Sequence, residues 1–218
     1  MRRSLLIVVA LLLPLVARAQ SPHDVPLQRP AAAAEKGAAS IAAARSQRAH
    51  LWRDTRPWND DGTLNAYVEI GRGDLRKWEY DMRANRRTID RMIPKSVGGY
   101  PINYGFVPQT ISYDGDPFDA LVLGPALRGG EMVRGVVVGL LLMEDEKGLD
   151  SKVVLSGVDA AGRPLHELTD DVRREVGDYF NRYKAHEANA WSKVLGWGSV
   201  EEAKTYVERT HAFFRNAR

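Results

Sequence analysis

Tyr113-Asp114-Gly115-Asp116-Pro117-Phe118-Asp119-Ala120-Leu121-Val122-Leu123 reads as a tight turn running straight into a strand. Glycine and proline set between aspartates punctuate the chain, and the apolar run after Asp119 is short and bounded by turn residues. Working outward, further β-like runs, alternating or apolar and bounded by turn residues, occupy residues 65–70, 77–81, 88–92, 133–143 and 152–155. Their number and spacing predict strands closing into a small barrel. Beyond Pro164 the texture changes. Val172, Val176, Phe180 and Tyr183 recur at helical steps within residues 169–185, and Asp170 and Asp171 suit the positive end of that helix. Ser199, with Glu202 three residues on, is the pattern of a capping box opening a second helix to about Asn216. Strands first and helices last make the class α+β.

The chain has 218 residues, enough for one folded unit with an ample core. It contains no cysteine, which excludes a disulfide scaffold, a zinc ribbon, a thiol nucleophile and an iron–sulfur protein together. Residues 1–19 read MRRSLLIVVALLLPLVARA: a basic start, a short apolar run and an A-x-A ending. That is the pattern of a secretory signal peptide cleaved between Ala19 and Gln20, and the run is short for a membrane span. The formal charge of +3 invites a nucleic-acid reading. Cleavage changes that, because 31 basic residues less Arg2, Arg3 and Arg18 leave 28 against 28 acids.

Residues 20–50 carry prolines at 22, 26 and 30 and then an alanine-rich stretch. A helix this poor in large apolar residues has little to bury. A disordered or loosely helical spacer without a site is expected there, with a docked helix as the alternative. The folded domain is expected to span residues 51–218.

The mature charges are sorted. Between Asp114 and Asp150 lie eight acids against three bases, whereas between Glu69 and Lys95 eight bases oppose five acids. Asp114, Asp116 and Asp119 crowd into six residues, and Asp145, Glu146 and Asp150 follow the longest apolar run. Like charges so close are costly without protons or cations. Oxygen-only ligands favour magnesium, manganese or calcium, although two acidic surface turns would give the same composition. Lys77 and Glu79 alternate along one strand and so share a face. Arg91, Tyr104, Lys152, Tyr183 and Lys184 add cations and phenols of the kind a phosphate-rich substrate requires.

Together these residues resemble the soluble family I inorganic pyrophosphatases. Residues 114–119 look like that family's D-[GN]-D-P-x-D signature, and the flanking Tyr100-Pro101-Ile102-Asn103-Tyr104-Gly105, the stretch 138–152, Tyr183-Lys184 and the stretch 191–197 follow in its order. The resemblance runs from about Val68 to the C-terminus, and residues 191–197 fall in what it presents as the helical end. It implies a five-stranded OB-type barrel flanked by C-terminal helices, and magnesium-dependent hydrolysis of pyrophosphate, with manganese or another divalent ion as a substitute. By the same resemblance, Asp114, Asp119 and Asp150 hold the first metal, and Asp119 is shared with a second. Asp145 with Asp150 takes a metal arriving with substrate, and Glu69 and Glu79 support the cluster. The resemblance likewise implies Asp116 as the general base, and Lys77, Arg91, Tyr104, Lys152, Tyr183 and Lys184 as the residues that would grip the phosphates.

There are departures from the pattern: Gly71 stands where proline is usual, and Ala188 and Ala190 where some members have lysines. The leader points to export into the periplasm, with no membrane association after cleavage. The resemblance further implies a homo-oligomer, hexamer or dimer. An exported phosphohydrolase of broader range is the competing enzyme reading. A nucleic-acid module is disfavoured, because carboxylates interrupt the basic block where phosphates would lie.

Overall fold

The computed structural model describes residues 29–217. The expected leader, its cleavage point and residues 20–28 lie outside the described residues. Among those described, no helix is long and apolar enough to cross a membrane. The element order is α1 (Ala31–Arg45), α2 (Leu51–Asp54), β1 (Leu64–Ile70), β2 (Arg76–Asp81), β3 (Arg86–Met92), β4 (Asn103–Phe106), β5 (Asp119–Val122), β6 (Met132–Asp145), β7 (Gly148–Leu149), β8 (Lys152–Ser156), α3 (Asp170–Arg182), β9 (Ser192–Gly198) and α4 (Val200–Asn216).

Five strands close on themselves. Hydrogen bonds run β1–β4–β5–β8–β6, and β6 returns to pair with β1, Leu64 opposite Gly135. All ring pairings are antiparallel except β5 with β8, which is parallel, Ala120 opposite Val153. This ring is the expected five-stranded barrel, and closure removes the open edges that an isolated sheet exposes. Gly105 makes one seam of it. A Cβ there would lie 1.8 Å from the carbonyl oxygen of Tyr67, so the β1–β4 contact has no room for a side chain. The β2–β3 hairpin forms a separate two-stranded sheet alongside.

Alternation along the ring strands builds two cores. Ala120, Val122, Leu140, Leu142, Val153 and Leu155 pack on one side, sealed by Ala203, Tyr206 and Val207 of α4. Leu121, Leu141, Met143 and Val154 face the other way onto Val176, Tyr179 and Phe180 of α3. Both helices carry the start signals that their sequences announce. The Thr169 side chain accepts from the Val172 amide. Ser199 and Glu202 form a complete capping box, Ser199 Oγ accepting from the Glu202 amide at 3.1 Å and Glu202 Oε2 from the Ser199 amide at 2.6 Å.

Two expectations are corrected. The loose spacer expected over residues 20–50 is, from Ala31 to Arg45, a helix docked on the domain. Its buried positions, Ala33, Gly37, Ile41 and Ala44, form a stripe of mostly small residues that admits close approach. Ile41 and Ala44 join Trp52, Tyr67, Phe106, Ile111 and Phe214 in a third core, so the partners for this helix come from distant parts of the chain. Residues 192–198 are not helical but form β9, which pairs along the far end of β6, Leu141 opposite Trp197. The long β6 has backbone groups to offer beyond the barrel, and β9 and β7 take them up.

Candidate active site

Strand register decides which of the predicted residues meet. Because β5 and β8 run parallel with Ala120 opposite Val153, their first residues, Asp119 and Lys152, emerge side by side. Lys152 Nζ bonds Asp119 Oδ2 at 2.6 Å and Asp150 Oδ1 at 2.8 Å, and its side chain is only 1% exposed. From β4, next to β5 in the ring, the Tyr104 hydroxyl donates to the same Asp119 oxygen at 2.5 Å. On the hairpin, Lys77 Nζ bonds Glu79 and, at 3.2 Å, Asp90. Arg91, paired with Lys77 across the hairpin, donates to Asp90 and to Glu187, each at 2.5 Å. At the end of β6, Asp145 accepts from Lys184 Nζ at 2.7 Å, and Glu146 accepts from the same nitrogen at 2.9 Å.

All thirteen residues expected at the site line one cavity of about 440 Å³ except Lys152, which is buried at its floor through Asp119 and Asp150. Glu69, on fully buried β1, accepts the amide of Tyr80 at 2.6 Å and so ties the barrel to the hairpin. Among the described residues no three acids are gathered about a single point; lysine ammoniums stand between them instead.

The carboxylates carry electrostatic tension. Burial, and then the nearby Asp116, push the Asp114 carboxyl up to about 6. Asp150 is pushed up to about 7, chiefly by burial and also by Asp119, against the opposing pull of Lys152. Burial and Asp119 hold Glu69 well above its ordinary value. Groups of this kind gain from a nearby cation, and their donors are all oxygen, so the residues fit a hard divalent ion. Burial, together with Asp119 and Asp150, raises the Tyr104 phenol far above its ordinary value, so it stays a protonated donor. The Tyr183 phenol is raised likewise, first by burial and then by Asp150.

Several residues around the site lie outside the expected set. Glu146 lines the cavity from within the acidic block. Glu187, which also lines it and pairs with Arg91, carries no local signal, and neither does Asp90, which pairs with Lys77 and Arg91. Lys36 of α1 reaches Asp116 Oδ2 at 2.6 Å from a stretch expected to hold no site. Of the departures, Gly71 has a physical reason. A Cβ there would sit 2.3 Å from the Leu127 carbonyl oxygen.

Over most of its length the chain is similar to known proteins. The profile of the family described as inorganic pyrophosphatase matches residues 66–215. The chain is 41% identical over 159 residues to the inorganic pyrophosphatase of Thermus thermophilus, covering 67% of this chain and 89% of the relative. It is 37% identical over 153 residues to that of Saccharolobus solfataricus, covering 67% and 88%. The crystal structure of the Thermus thermophilus inorganic pyrophosphatase superposes with a TM-score of 0.69 at 35% identity, over 77% of this chain and 99% of that one. From Ala66 through α4, in sequence and in fold, the chain belongs to the inorganic pyrophosphatase family.

Proposed function

We propose that this protein hydrolyses inorganic pyrophosphate to two phosphates with magnesium as its metal, manganese serving in its place. The observation that carries the reading is one cavity in which Asp114, Asp116, Asp119 and Asp150 face Lys77, Arg91 and Lys184, with Lys152 beneath. Acids alone would repel a pyrophosphate, and bases alone would bind it without hydrolysing it. Asp114, Asp119 and Asp150 would hold the first ion and Asp145 with Asp150 a later one, with Glu69 and Glu79 supporting them. Bound there, the ions would supply Lewis-acid polarisation and screen the phosphoryl oxygens.

The chain's own residues do the rest. Asp116 is half exposed at the mouth and takes the proton of the attacking water. Lys77, Arg91 and Lys184 neutralise charge as it develops on the leaving phosphate. Tyr104 and Tyr183 donate hydrogen bonds, which their raised phenol pKa values keep available. The basic leader with its A-x-A ending supports export to the periplasm as part of the same proposal. A substrate panel tests the reading. Phosphate release should be confined to pyrophosphate, with nucleotides and phosphomonoesters spared; comparable turnover of esters would make this a general phosphohydrolase instead.

A further inference from the structure

Helix α1 precedes the stretch that matches the family, yet it forms part of the cavity wall. Its seating is close. A Cβ on Gly37 would come within 2.9 Å of Ile111 Cγ2. The signature turn presses on the same helix. At Gly115, where φ is +91°, an added Cβ would lie 2.7 Å from the Ala33 carbonyl oxygen and 2.9 Å from Lys36 Cβ. Gly115 therefore serves both the left-handed turn and its contact with the helix.

This contact delivers Lys36 Nζ to 2.6 Å from Asp116 Oδ2, which among the described residues is the one ion pair that Asp116 makes. Burial works against the ammonium's charge. Its bond to Asp116 and the fields of Asp116, Asp114 and Glu79 outweigh that cost and hold its pKa up. The side chains of the pair are 46% and 48% exposed, so the bond contributes little to folding. Its consequence lies in where it leaves the carboxylate.

We propose that Lys36 is a positioning residue of the active site: a helix ahead of the family domain supplies an ammonium that holds the Asp116 carboxylate in place at the cavity mouth. The proposal rests on the reading of Asp116 as proton acceptor. A base that must meet a water within hydrogen-bond reach loses rate when its carboxylate is free to turn away.

Lys36→Met in the full chain keeps the stem and its packing on Gly115 while removing the charge. With pyrophosphate and saturating magnesium, kcat should fall roughly tenfold while KM stays within about twofold. Lys36→Arg should restore most of the rate, and the melting temperature should not move. Placed on Asp116→Asn, Lys36→Met should lower the residual turnover no further. A Lys36→Met enzyme with the parent kcat overturns the proposal, and so does a raised KM at unchanged kcat, which would make Lys36 a substrate contact. An inactive Asp116→Asn beside a fully active Lys36→Met sinks this inference alone. A fully active Asp116→Asn sinks the reading of Asp116 and this inference with it.

Discussion

Lys152→Met isolates the electrostatics at the floor of the cavity. The ammonium it removes is buried between Asp119 and Asp150, at 2.6 and 2.8 Å. Methionine retains most of the stem's volume but leaves two adjacent carboxylates with no cation between them. Removing one partner of a buried ion pair costs about 3–5 kcal/mol, because the charge left behind is uncompensated. A domain of this size loses roughly 2–4 °C of Tm per kcal/mol. Free of metal near about pH 8, the variant should therefore melt roughly 6–20 °C below the parent. Acid should return most of that deficit. The Asp150 carboxyl is pushed up to about 7 in the folded chain, against an unfolded value of about 3.9. Between those values the folded chain binds more protons than the unfolded one. Metal-free stability from this group is therefore highest below about pH 4 and declines as pH rises through about 7. Without Lys152 the carboxyl rises further, so near about pH 5 Asp150 is protonated and no longer repels Asp119. Calorimetric melting of both proteins in chelator at the two pH values checks this. An equal deficit at both would refute the reasoning, because lost packing does not titrate.

Two further outcomes follow from the geometry. Asp116→Asn should lower kcat by roughly 10²–10⁴-fold with an unchanged circular dichroism spectrum, since the side chain is half exposed and packs against no core; activity near the parent level would remove Asp116 from its role. Gly105→Ala drives a methyl into the Tyr67 carbonyl at the β1–β4 seam, and should cost more than about 4 kcal/mol in denaturant unfolding; a variant as stable as the parent would show that this seam can open without cost.

Much of this fold is legible in the sequence because its signals are local. The strands at β1, β5 and β8 are apolar runs bounded by turns, and α3 and α4 announce themselves through Thr169 and the Ser199–Glu202 box. What escaped depends on remote partners. Strand β4 is four residues beside Pro101 and reads as a turn, and it becomes a strand only when Gly105 lets it close on Tyr67. Strand β9 contains Gly196 at φ +141° and takes its conformation from β6. Helix α1 has one large apolar residue in its buried stripe, Ile41, and the surface that orders it comes from Trp52, Ile111 and Phe214. The site divides in the same way. Its acids and cations stand out singly, but their pairing does not. The Lys152–Asp119 bond follows from a parallel register, and the Lys36–Asp116 bond joins residues 80 apart.

Phosphate release from pyrophosphate by the purified protein, with and without magnesium, tests the central claim most directly. The arrangement of carboxylates and lysines predicts two phosphates per pyrophosphate in the presence of magnesium and almost none after chelation. Purified, folded protein that releases no phosphate with magnesium, or releases it equally well in chelator, would contradict the account.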